Sequence, residues 1–448
     1  VNIREWLLLA GLLLLATSLL GGWMRKTPLT PFALYAATGI VVGPWVAGVA
    51  SIDLVKGAWL IERITEVALV VSLFVGGLRL RVVWHGASWR AALRLGVPAM
   101  LLTIAGSAVA AHYLLGATWP IALLLGAAIA PTDPVLASLV SVDDAGDDDE
   151  LRVSLSGEAG INDGATLPLL LLALLLHAGN MDTHAWGWWL LRDVVWAIPA
   201  GAAIGFGLAQ VIGLLATRLK VLSRDTGPND LLALSLVALS YAAAQYLHAS
   251  VFIAAFAAGM GLRHAEWRIV SRHPNPEVEE SSIHPPAELL VNPHKREPDE
   301  AAKPAASIGL VVSDALTFGD PFERLIAAAL LVLLGIAFAS YFSVEGLVLA
   351  ALLFFVIRPA AVLISTVACG LSMPRRIILG WLGVRGIGSL YYLAYATNHG
   401  LSAEESASLA RWIVTLVVAS VALHGMSTQP IMTWRAARIA ARSKSTPQ

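Results

Sequence analysis

Charge is scarce in this sequence. Asp, Glu, Lys and Arg make up 14% of its 448 residues, against about 25% in a typical soluble domain. The shortfall points to lipid as the main solvent, so membrane lipid is the first partner implied. A formal net charge of −1 provides no global field for nucleic acid or an acidic substrate. There is one cysteine, Cys369, inside an apolar run. It excludes an intramolecular disulfide and a cysteine-rich metal cluster, and reads as a small apolar filler. Strand-like alternation is also missing, which leaves helices as the spanning element. Near the start, Arg4 precedes an apolar run from Trp6 to Leu20, but no A-x-A cleavage site follows. That run reads as a retained first helix.

Long apolar runs are abundant. A helix needs about 20 mostly apolar residues to cross a bilayer. Such runs fall near 6–24, 31–50, 64–82, 93–115, 118–142, 151–177, 187–216, 229–246, 250–264, 323–341, 344–370, 375–398 and 407–434. They predict an all-α membrane protein of about thirteen spans in a single polytopic domain, 1–448. Of the 30 Lys and Arg, 22 lie in loops after odd-numbered spans or in the tail, 435–448. Five (Arg4, Lys56, Arg63, Arg192 and Arg411) lie at the N-terminus or after even-numbered spans, and three (Arg324, Arg358 and Arg385) fall at the edge of or inside spans. The positive-inside rule then puts the N-terminus outside and the C-terminus in the cytoplasm.

Two polar stretches interrupt the pattern. Residues 265–305, rich in Pro, Glu, His and Lys, read as a cytoplasmic loop. Its His273, His284 and His294 are read as solvated rather than metal-binding or pH-sensing. The acidic run Asp143, Asp144, Asp147, Asp148, Asp149 and Glu150 reads as a solvated connector, with cation attraction as the alternative.

The fifth span carries APTDPVLA, where Pro131 and Pro134 bracket Thr132 and Asp133. Two prolines this close remove donors and clash with the preceding turn, so the helix is expected to break. The twelfth carries GWLGVRGIG, with glycines at 380, 383, 386 and 388 around Arg385. Alone, such a stretch reads better as a close helix contact. The two spans are seven apart, however, and therefore cross in opposite directions, as inverted repeats require. Paired interruptions of this kind point to a midplane transport site. The sixth span, GEAGINDGATLPLLLLALLL, places Glu158, Asn162 and Asp163 within an apolar run, Glu158 close enough to the helix start to reach water and Asp163 deeper. A central charge costs about 2.5–3.5 kcal/mol to insert, so it marks function. Glu158 and Asn162 share a face. Asp163 points about 140° away from Glu158, towards a different environment. Thr166 offers its hydroxyl either to that cavity or to its own helix. Arg358, in FFVIRPAAV, needs a carboxylate, and Glu158 is its natural partner.

A carboxylate so placed binds Na⁺ or Li⁺ through oxygen, or binds a proton instead. The two ligands exclude one another, and that competition is the core of exchange. Asp163, Asp133, Thr132 and freed carbonyls supply the oxygens. The transported cation is then the only metal, no cofactor is needed, and no enzyme chemistry is expected.

With PTDPV at 131–135, GE…NDG at 157–164, IRP at 357–359, GWLGVRG at 380–386 and VFIAAFAAGMGL at 251–262, the chain resembles the monovalent cation:proton antiporter 1 family. These are the Na⁺/H⁺ exchangers of the bacterial NhaP type. The resemblance implies an NhaA-like fold with two crossed discontinuous helices, with spans 1–6 and 8–13 as inverted repeats. It implies a homodimer in the cell (inner) membrane, a role in pH homeostasis, and alternating access. It makes Asp163 the ion- and proton-binding carboxylate, with Thr132 and Asp133 as its neighbours. Glu158 and Asn162 become a stabilising pair, Arg358 and Arg385 their network, and Glu66 a residue near the ion path. The Asn162–Asp163 pair resembles the electroneutral branch. Two departures matter: Ala159 stands where relatives commonly have serine, which leaves ion preference open, and the connector at 143–150 is acidic where the family leads one to expect a more basic one. K⁺/H⁺ exchange is the near alternative and a gated cation channel a further one. Intramembrane proteolysis by two aspartates ranks lowest, since no GxGD string occurs.

Overall fold

Apolar runs with few polar interruptions form helices here because only intrasegment hydrogen bonds satisfy a backbone in hydrocarbon. The computed structural model describes residues 3–24, 27, 30–81, 86–133, 136, 142, 149–224, 226–272, 285–292 and 296–444. Among them every regular element is helical. In chain order these are α1 (Ile3–Met24), α2 (Pro31–Val42), α3 (Ala58–Arg79), α4 (Ala87–Leu115), α5 (Trp119–Ile129), α6 (Glu150–His177) and α7 (Thr183–Ser223). They continue with α8 (Asp230–Tyr246), α9 (Val251–Arg272), α10 (Pro304–Tyr341), α11 (Val344–Ser365), α12 (Met373–Trp381), α13 (Ile387–Asn398) and α14 (Ala403–Lys444). Among the described residues, 6 helices are long and apolar enough to cross a membrane. The chain is a multi-pass membrane protein.

Side-chain caps define several starts. Thr30 accepts from the Ala33 N–H at 3.3 Å ahead of Pro31 in α2. Ser343 accepts from Gly346 at 3.0 Å to open α11. Each satisfies a donor that the first turn leaves unpaired. Three helices widen into a π-turn: Leu95–Ala99, Leu190–Trp196 and Leu353–Ile357. Each contains a proline or closely precedes one, namely Pro98, Pro199 and Pro359. A proline ring collides with the preceding turn, and a π-turn relieves that collision without ending the helix. The last of these turns hands the chain to Arg358.

The helices pack in two groups. α4, α5, α6 and α11 to α14 contact one another, and α2, α3 and α7 to α10 form the second group. The groups meet where α13 and α6 face α3, where α6 faces α9, and where α14 faces α10. Within the second group, α2 and α10 approach backbone to backbone. A Cβ on Gly39 would lie 2.8 Å from the Gly335 Cα, and one on Gly335 would lie 2.9 Å from the Gly39 Cα. Small residues permit this approach, which dispersion then rewards.

The polar stretch after the ninth span differs from expectation. α9 runs on to Arg272 and α10 starts at Pro304, not near 323. The first half of α10 carries Ile308, Leu310, Val311 and Val312 buried against neighbours, so helix forms well before the uninterrupted apolar run begins. Between the two helices, a 3-10 turn at Ala287–Leu290 is docked by buried Arg263. Its guanidinium makes two 2.8 Å bonds to Glu288 and donates to the Leu78 carbonyl at 2.7 Å. Arg296 similarly meets Asp314 at 2.5 Å. Residues 273–284, with His273 and His284, and His294 lie outside the described residues, as do Asp143, Asp144, Asp147 and Asp148.

At the other boundary α14 extends helix through the segment read as a tail, to Lys444. Arg435 in that extension forms a two-bond pair with Asp149 at 2.6 and 2.9 Å. Burial pushes the Asp149 carboxyl upward. Arg435 and the Leu151 and Arg152 amides outweigh that and hold it below the usual range.

Replacing Gly335 by valine should force α2 and α10 apart. Overpacking of this kind costs about 1–3 kcal/mol. Thermal unfolding of purified protein in detergent should show a lowered midpoint, and an unchanged midpoint would contradict the close approach.

Candidate ion site at the crossing of two interrupted helices

α5 stops at Ile129, and the chain runs non-helically through Pro131, Thr132 and Asp133. Pro131 is consistent with the expected break, and Pro134 lies outside the described residues. α12 stops at Trp381, residues 382–386 are non-helical, and α13 starts at Ile387. The two interruptions bond directly. The Asp133 N–H donates to the Val384 carbonyl at 2.9 Å. The Ile387 N–H donates to Asp133 Oδ2, and the Leu136 N–H donates to Asp133 Oδ1 at 3.1 Å. Asp133 thus places a carboxylate on the N-terminus of α13, where the helix dipole is positive. The glycine-rich string allows this. A Cβ on Gly386 would sit 3.0 Å from the Asp133 Cγ, and one on Gly388 would sit 3.1 Å from Asp163 Oδ1.

Asp163 is 1% exposed, and neither carboxylate oxygen accepts a hydrogen bond among the described residues. Its backbone carbonyl accepts from the Tyr392 hydroxyl at 2.5 Å, which ties α6 to α13. The charges of Asp133 and Arg385 act on it. One residue earlier, Asn162 donates from Nδ2 to Thr132 Oγ1 at 2.8 Å. Asn162 therefore spans from α6 to the interruption after α5.

Arg358 Nη2 donates to Glu158 Oε2 at 2.8 Å, and Arg358 Nη1 lies 2.6 Å from Oε1 as an ion pair, both residues being buried. This is the pairing expected from sequence. Arg385 is completely buried, and its side-chain nitrogens have no hydrogen-bond partner among the described residues. Its backbone N–H donates to Ser420 Oγ at 2.8 Å, and Arg358, Glu158 and Asp163 are the charges around it. Asp133, Asp163, Glu158, Arg358 and Arg385 thus gather three carboxylates and two guanidiniums at one crossing.

Two residues stand aside. Thr166 donates to Met100 Sδ at 3.1 Å rather than to its own helix. Glu66 accepts from Arg63 at 2.9 Å and from the Tyr241 hydroxyl at 2.8 Å, on α3 across from α13. One carboxylate was not singled out in the sequence. Glu323 on α10 accepts from Ser72 Oγ at 2.9 Å, and Asp133 is among the charges acting on it. Its signal was its position as the first residue of the tenth apolar run.

Two interruptions bonded to each other beside a buried carboxylate that accepts no hydrogen bond among the described residues define a multi-pass membrane protein with a polar cluster in its interior. A family model described as sodium/hydrogen exchanger, transmembrane, matches residues 14–293. The chain belongs to this family. A probable Na(+)/H(+) antiporter of Schizosaccharomyces pombe is 28% identical over 208 residues, covering 43% of this chain and 26% of that protein. The K(+)/H(+) antiporter NhaP of Alkalimonas amylolytica is 23% identical over 374 residues, covering 83% of this chain and 57% of that protein. The chain therefore spans from about a quarter to just over half the length of these relatives. The sodium proton antiporter MjNhaP1 from Methanocaldococcus jannaschii superposes with a TM-score of 0.68 at 16% identity, covering 94% of this chain and 96% of that one. At this identity the likeness establishes the fold.

Breaking the buried pair should be costly. Arg358→Ala leaves Glu158 charged and buried, a loss of about 3–5 kcal/mol. A Glu158→Gln/Arg358→Met double variant should recover most of the melting temperature. If the double variant unfolds as early as the single one, the pair is not what stabilises this crossing.

Proposed function

We propose that the chain is a secondary antiporter exchanging Na⁺ (or Li⁺) for H⁺, one for one, with cation and proton competing for Asp163. The observation that carries this reading is the Asp163 carboxylate, buried and unbonded among the described residues. Thr132, Asp133 and the carbonyls freed by the interruptions supply further oxygens for a hard cation. Asn162 and the Glu158–Arg358 pair hold the surrounding scaffold. Glu66 lines the path from the outer side.

The charges support the stoichiometry. Taken as ionised, the three carboxylates Asp133, Asp163 and Glu158 against the guanidiniums of Arg358 and Arg385 leave one negative charge among these five residues. One Na⁺ or one proton cancels it. An empty, charged site is expensive to carry through hydrocarbon, whereas a loaded one is close to neutral. Only the loaded forms then pass readily between the two faces, which couples the ions. The movement is that of the α4–α6 and α11–α14 group against the α2, α3 and α7–α10 group, because Asp163 lies on the helix that meets α3 and α9. In this reading the helices make thirteen spans, α12 and α13 being halves of one. Spans 1–6 and 8–13 are inverted repeats, and the N-terminus lies outside. The C-terminus and the 265–305 segment are cytoplasmic, and the protein is a homodimer in the cell membrane that serves pH homeostasis.

K⁺/H⁺ exchange is the second reading. Ala159 favours it, since it lies one helical turn before Asp163 on the same face and offers a methyl where a hydroxyl would help a small cation. The name of the Alkalimonas relative points the same way.

Vesicles with an internal pH dye test both. Added Na⁺, Li⁺ or K⁺ should move protons, and Asp163→Asn should abolish the signal. Exchange at the wild-type rate in that variant would sink the site. Clamping voltage with valinomycin and K⁺ should leave the rate unchanged if exchange is one for one. Ala159→Ser should raise Na⁺ affinity relative to K⁺ by roughly fivefold, the worth of one added hydrogen-bonding group.

A further inference from the structure

A groove of about 380 Å³ opens where the C-terminal ends of α7 and α9 meet the start of α10. Leu214, Val221 and Ile269 line it together with Arg218, Arg268 and Arg272, and no acidic residue does among the described residues. The apolar wall continues onto the outer face of α7, where Leu215, Leu219 and Leu222 are 52%, 56% and 81% exposed. In a membrane-spanning bundle such leucines face acyl chains. The groove thus has an apolar side opening to hydrocarbon and a basic rim at the end of the helices.

The rim holds no carboxylate among the described residues. Three arginines at the same ends of neighbouring helices do: Arg79 with Asp320 at 2.6 Å, Arg263 with Glu288 at 2.8 Å, and Arg296 with Asp314 at 2.5 Å. Arg218 and Arg272 bond to nothing among the described residues, and Arg268 donates only to the neutral Gln210 side chain at 3.2 Å. Three guanidiniums around one cavity repel one another until an anion joins them. Guanidinium forks suit phosphate oxygens, and their aliphatic stems tolerate an apolar wall.

We propose that this groove binds an anionic glycerophospholipid, with its phosphate held by Arg218, Arg268 and Arg272 and its chains laid along the exposed leucines of α7. The proposal depends on the membrane embedding of the chain and not on its transport activity. A failure of the antiport assay leaves it standing, and the converse also holds.

The test is thermal unfolding of the purified full chain in detergent. It is titrated with phosphatidylglycerol or with phosphatidylcholine of the same chains, and separately with glycerol phosphate. Phosphatidylglycerol should raise the midpoint at lower concentration than phosphatidylcholine, and glycerol phosphate should not raise it. Each arginine near an anionic lipid contributes about fivefold in affinity. Arg218→Gln/Arg272→Gln should therefore weaken the phosphatidylglycerol response by about 25-fold and leave the phosphatidylcholine response alone. Should that variant unfold early, native mass spectrometry of its folded fraction counts retained phosphatidylglycerol directly, and wild-type occupancy would overturn the proposal. Equal responses to the two lipids, a variant with the full preference, or a glycerol phosphate response matching phosphatidylglycerol would also overturn it.

Discussion

The structure depends on how Asp133 closes two broken helices against each other. Interrupting a helix within hydrocarbon exposes amides and carbonyls that water cannot reach, each a cost of several kcal/mol if left alone. Here the interruption after α5 gives its Asp133 N–H to Val384, and its carboxylate takes the first N–H of α13. One residue thus satisfies backbone on both segments and sets a negative charge on a positive helix end. Without it, each break would leave unpaired groups and the helices would have no reason to cross at this point. The glycines follow from the same constraint. Gly386 has no side chain because the Asp133 carboxylate lies where a Cβ would be.

That crossing separates the fates of two similar residues. Asp133 and Asp163 are both buried aspartates that lie against glycines at the second interruption. Each Asp133 oxygen already accepts one backbone N–H, so Asp133 can share a cation with other oxygens but is not the carboxylate free to hold one. Asp163 projects from α6, an unbroken helix, towards Gly388, where no side chain fills the space and no donor arrives among the described residues. In the proposed exchange the unspent carboxylate is the one left for a ligand. Asn162 helps keep it so: by bonding Thr132 it fills the neighbouring polar space with a neutral amide, and no second charge joins the site from that position.

Much of this was legible before any geometry. Hydropathy alone separates the spans, because lipid punishes polar backbone and side chains more uniformly than water rewards them. Helical phase separated Glu158 from Asp163, and the cost of an unpaired buried arginine paired Arg358 with Glu158. What was not legible lies where tertiary contact overrides local pattern. α10 begins at Pro304 because buried neighbours cover Ile308 and Val311, and hydropathy registers no neighbours. The 3-10 turn at Ala287–Leu290 sits in a stretch that composition reads as loop, held by Arg263 from another helix. Glu323 escaped notice because it stands at the edge of an apolar run, where a charge normally escapes to water. It meets Ser72 only because α3 lies alongside.

The same logic bears on Arg385, which has no carboxylate in direct contact yet is fully buried. An isolated buried guanidinium is costly, so something must offset it. Its neighbours supply the answer: Asp163 and Glu158 act on it from a distance, against Arg358. Glu158 is largely matched by Arg358, which leaves Asp163 as the charge that Arg385 balances. In the proposed exchange, neutralising Asp163 by a cation or a proton would therefore change the environment of Arg385 as well. A ligand at α6 would then be felt at the second interruption through electrostatics, with no bond between the two side chains.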